Sequence, residues 1–71
     1  MSKFHIGDHV QWTWGANTAE GIVAESFISR VERTIKGKTI IRNATEDEPA
    51  YLVTQSDGGR ALKSASELRK A

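Results

Sequence analysis

Cysteine is absent from the 71 residues, which excludes both the disulfide framework of small secreted domains and the thiolate ligands of structural zinc. That absence fits a reducing, cytoplasmic setting. Proline occurs once, at Pro49, and no stretch approaches the 18 apolar residues that a membrane-spanning helix needs. The opening Met1-Ser2-Lys3-Phe4-His5 reaches Gly7-Asp8 without an apolar run, so a secretory leader is not expected there. Neither sign of charge dominates: ten basic side chains stand against nine acidic ones, for a formal +1. Bulk charge therefore gives no argument for nucleic acid, and any electrostatic argument must be local. A chain this short buries only about 60% of the surface its unfolded form exposes. The expectation is one small soluble domain over residues 4–69, a monomer or a weak homo-oligomer.

What is present is alternation. Val10, Trp12 and Trp14 share one face of an extended segment, with His9, Gln11 and Thr13 on the other, the period of a half-buried strand. Residues 15–19 are small and polar and read as a loop, after which Gly21 to Ile28 resumes β-branched character as a long, curved second strand. Two β-branched runs, residues 31–35 and 39–41, flank Lys36-Gly37-Lys38 and predict a hairpin. The polar, acidic stretch 43–50 reads as an exposed loop. A second hairpin is predicted across Ser56-Asp57-Gly58-Gly59. Ser64 and Glu67 have the spacing of a capping box, with room for a single helical turn. Short strands with turn signals and no amphipathic helix describe an all-β barrel or sandwich.

Several of these elements, in this order, resemble a known family. Gly7-Asp8-His9-Val10-Gln11-Trp12, the later Gly21-Ile22-Val23, the stretch Glu46-Asp47-Glu48-Pro49-Ala50-Tyr51-Leu52-Val53 and Leu68 together look like the Tudor-like domain named for hypervirulence-associated proteins. The opening alone also resembles the KOW motif and other SH3-like modules. The resemblance implies an SH3-like, Tudor-type barrel of about five antiparallel strands with a short helical turn before the last. SH3-like barrels host many unrelated activities, so fold alone does not settle function.

Tudor domains hold methylated lysine or arginine in aromatic cages, where cation–π attraction is worth up to about 2 kcal/mol. Trp12, Trp14, Phe27 and Tyr51 are the candidates here, against the plainer reading that Trp12, Phe27 and Tyr51 fill the core. Trp14, at a strand end beside a glycine, is divided evenly between ligand contact and capping the barrel mouth. A cage also needs an acidic or polar rim, and Glu46, Asp47 and Asp57 are the candidates. A second candidate surface is the hairpin carrying Arg30, Arg33, Lys36, Lys38 and Arg42, opposed only by Glu32; it could track a phosphate backbone. The alternative is a solvated hairpin whose charges discourage edge-to-edge pairing.

Catalytic signals are few. His5 and His9 lie in an extended segment with no third ligand of matching type, so no metal site is expected. No serine sits in a nucleophile elbow, and no glycine-rich loop cradles a phosphate. A plasmid-borne dihydrofolate reductase builds its active site in a pore between short SH3-like barrels, but its pore motif has no match here. The sequence reading is a non-catalytic binding module without cofactor. It recognises a peptide or protein segment at the barrel mouth through Trp14, Tyr51, Trp12 and Asp47, with weak nucleic-acid binding through the basic hairpin as the alternative.

Overall fold

The N-terminal hairpin sets the frame. A computed structural model describes residues 4–71; in it β1 (His9–Trp14) and β2 (Asn17–Phe27) pair antiparallel across the two-residue turn Gly15-Ala16. The expected loop over residues 15–19 is therefore shorter. Asn17, Thr18 and Ala19 pair with Trp14, Thr13 and Trp12, because a two-residue turn lets the ladder satisfy backbone groups up to the hairpin tip. β2 then pairs with β5 (Ala50–Thr54), β5 with β6 (Arg60–Ser64), and the other edge of β1 with the short β7 (Arg69–Lys70). The sheet order is β6-β5-β2-β1-β7.

A register shift between Val23 and Glu25 puts a bulge in β2, where the added residue bends the strand and increases its twist. Between β6 and β7 lies one 3₁₀ turn, Ala65–Glu67, where the Ser64 amide donates to Glu67 Oε1 at 2.8 Å. The all-β architecture is the one expected, five antiparallel strands with a helical turn before the last. Added to it is β3 (Arg30–Ile35) and β4 (Lys38–Asn43), a separate two-stranded sheet inserted between β2 and β5.

The expected core residues are inside. Val10, Trp12, Val23 and Val53 expose 4% or less of their surface, and they pack with Phe4, Tyr51, Ala65 and Leu68. Tyr51 is the centre of this cluster: its ring meets Phe4 edge-on at 5.5 Å and its hydroxyl accepts the Phe4 amide at 3.2 Å. Gly21 lies against β5, and a Cβ there would run into the Thr54 carbonyl oxygen and Val53. Only glycine fits.

β5 carries a second core. Alternate residues of a strand face opposite ways, so while Tyr51 and Val53 point into the barrel, Ala50 and Leu52 point outward. There they join Leu62, Val31, Ile35 and Ala44 in a second buried cluster. The β3–β4 hairpin is thus a layer over the outer face of β5 and β6, not a solvated arm. Its turn places Lys36 at φ 51° and Gly37 at φ 79°, the two positive values of a type I′ hairpin. Left-handed backbone costs a lysine roughly 1–2 kcal/mol.

Candidate functional site

Antiparallel pairing gathers three turns at one end of the molecule. The strand ends flanking the β1–β2 turn, together with the β3–β4 and β5–β6 turns, border a cleft of about 400 Å³. β1 contributes Trp12 and Trp14, the hairpin contributes Lys36, Ile40 and Arg42, and the β5–β6 turn contributes Gln55 and Asp57. Arg60, Ala61, Leu62 and Lys63, four consecutive residues of β6, complete the wall. Trp14 continues the inward face of Val10 and Trp12 but lies past the barrel end, leaving 59% of its surface exposed.

The cleft is electropositive. Lys36, Arg42, Arg60 and Lys63 face one carboxylate, Asp57, whose Oδ1 already accepts the Gly59 amide at 2.8 Å. Glu67 lies beside two of the four cations, with Arg42 Nε at 2.9 Å and Lys63 Nζ at 3.8 Å. Partial burial alone would raise the Glu67 pKa, but hydrogen bonds from Arg42 and the Ser64 amide, with the nearby positive charges, outweigh it and hold the carboxyl below its ordinary value. Lys36 and Arg60 have no carboxylate partner among the described residues; the Arg60 guanidinium donates only to the Thr34 carbonyl, at 3.4 Å.

The family model described as the hypervirulence associated proteins TUDOR domain matches residues 7–68. The chain belongs to that family. No curated protein and no solved structure gives a significant match. Membership in this TUDOR family suggests a small binding module.

The TUDOR domain brings only part of the predicted site together. Trp12 and Trp14 share the cleft, Trp12 as a buried wall residue and Trp14 as the open ring. Tyr51 is fully buried in the barrel core and offers no face to a ligand. Asp47 is exposed but distant: the 43–50 segment links the end of β4 to the start of β5, and Ala50 pairs with Phe27 and Ser64 at the barrel end opposite Trp14. None of residues 43–50 lines the cleft. Phe27 is half-buried against the hairpin, with the Arg33 guanidinium over its ring at 4.9 Å. A cage needs converging open aromatic faces, and Trp14 supplies one.

The basic hairpin is largely neutralised. Arg30 pairs with Glu32 at 3.6 Å, Arg33 with Glu25 at 3.6 Å, and Arg42 with Glu67; Lys36 in the turn and Lys38 just after it have no such partner among the described residues. His5 and His9 approach different carboxylates, Asp8 at 3.9 Å and Glu20 at 3.4 Å. His9 and Glu20 also border a second hollow of about 330 Å³ beside the half-exposed Ile22. Sequence reasoning did not select Arg60 and Lys63. The turn before β6 was legible, but not that β6 is the last strand of its sheet and stands next to the inserted hairpin.

Proposed function

We propose that the domain is a non-catalytic binding module that takes a peptide or protein segment at the barrel end bearing Trp14. One observation carries the reading: the most exposed aromatic ring projects over a cleft with an apolar wall, from Trp12, Ala19, Ile40, Ala61 and Leu62. Half-open aromatic rings beside apolar pockets are what small recognition domains use as anchors. The test is a peptide titration of the full chain followed by the indole N–H resonances. A binding segment shifts Trp14 saturably and much less Trp12, and Trp14→Ala abolishes binding without unfolding the domain. Binding that leaves Trp14 unmoved contradicts the reading.

The alternative, weak nucleic-acid binding through Arg30, Arg33, Lys36, Lys38 and Arg42, draws support only from Lys36 and Lys38, whose charges no carboxylate among the described residues pairs with. It predicts affinity that falls steeply with salt and is lost on charge reversal at Lys38. Affinity indifferent to Lys38→Glu contradicts it.

A further inference from the structure

The cleft's ligand class follows from its charge and its backbone, on the reading that the Trp14 end is the binding site. We propose that it takes an acidic peptide segment, laid extended along the free edge of β6, with an apolar or aromatic side chain against Trp14 and carboxylates on Lys36 and Arg60. Three observations converge on this.

First, the sign of the charge is wrong for a cationic ligand. Four basic side chains border the cleft against Asp57, and adding Glu67 still leaves a positive excess. A methylated ammonium would enter this field with one open ring to hold it, whereas a carboxylate finds two cations without carboxylate partners among the described residues.

Second, β6 is the terminal strand of the five-stranded sheet, paired with β5 on one side only. Side chains from both of its faces line the cleft, Ala61 and Lys63 from one and Arg60 and Leu62 from the other. What borders the cleft is therefore the strand's edge, with backbone N–H and C=O groups that an added strand can pair with. A peptide supplies that backbone and a nucleic acid does not.

Third, Lys36 keeps a left-handed backbone that asparagine or glycine adopts more easily. This strained residue carries an ammonium at the cleft rim. Single-stranded nucleic acid would call for several stacking rings along a basic track, and here one exposed ring faces an apolar wall whose other ring, Trp12, is buried.

The experiment titrates the isotope-labelled full chain with three probes: a decapeptide of Glu and Tyr, a peptide bearing trimethyllysine, and an oligothymidylate. The acidic peptide is expected to shift the Trp14 indole and the amides of residues 60–63. Arg60→Glu and Lys36→Glu should each weaken it roughly fivefold or more, the scale of losing one exposed charge pair and adding repulsion. Lys36→Asn, which keeps the turn, guards against misfolding and should weaken binding less. If the trimethyllysine peptide shifts Trp14 and the acidic one does not, the acidic assignment falls while the site stands. If oligothymidylate binds more tightly than the acidic peptide at the same residues, the peptide assignment falls. If no probe moves Trp14, the site itself is overturned.

Discussion

The barrel core and the hairpin core are built on the same strand and differ in what they do. On one face of β5, Tyr51 and Val53 join strands from both ends of the sheet; on the other, Ala50 and Leu52 hold down an inserted hairpin. The first core closes the fold. The second adds a layer whose turn and β4 side chains form one wall of the cleft. The cleft draws on both: Trp12, Ala19 and Ala61 come from the barrel side, Lys36, Ile40 and Arg42 from the hairpin.

The largest expected effect lies in the barrel. Tyr51→Ala removes a fully buried ring with its edge-on Phe4 contact and its hydrogen bond, a loss of about 3–5 kcal/mol. A domain of this size holds only roughly 4–10 kcal/mol in total, so chemical denaturation should show this variant losing about a third or more of its stability, the largest drop of the set. Ile35→Ala in the hairpin core should cost less, about 2–3 kcal/mol. It should leave the barrel amides protected from hydrogen exchange while those of β3 and β4 exchange faster. Equal loss of protection in both regions would show that the two cores do not separate.

Smaller changes sharpen the same division. Lys36→Asn relieves the left-handed lysine and should raise stability by about 0.5–1 kcal/mol in urea denaturation, a gain confined to the hairpin. The weakest effect is acid sensitivity. Glu67 ties Arg42 of the hairpin to Lys63 and the Ser64 amide, and its carboxyl is held below its ordinary value. A lowered folded pKa gives stability that is fully present above the unfolded value and lost as pH falls through the folded one. Glu67→Gln should therefore flatten part of the acid limb of the stability curve. Asp8 adds its own share in the same direction, through the His5 amide and then Lys70.

How much of this could be read from the sequence divides along the same line. Alternation in Val10, Trp12 and Val53 marked the barrel interior, and turn chemistry marked both later hairpins, because period and turn residues are local signals. Phe4 gave no such signal, since one aromatic outside any strand finds its place only through Tyr51, 47 positions away. The second face of β5 was equally hidden: Ala50 and Leu52 sit in a continuous apolar run that does not say what covers each side. The cleft suffered most. Trp14 was recognised as a strand-end aromatic, but Arg60 and Lys63 reach it only through sheet order, and Tyr51 and Asp47 were drawn toward it by chemistry that topology places elsewhere.

Two tryptophans, two positions apart on the same strand face, have opposite environments: Trp12 exposes 4% of its surface and Trp14 59%. Acrylamide quenching of the single-tryptophan variants Trp12→Phe and Trp14→Phe measures this directly. The prediction is that the remaining Trp14 is quenched nearly as fast as a free indole, whereas the remaining Trp12 is strongly shielded. Equal quenching of the two, or a shielded Trp14, would mean that the barrel end is plugged and that no open ring waits there for a ligand.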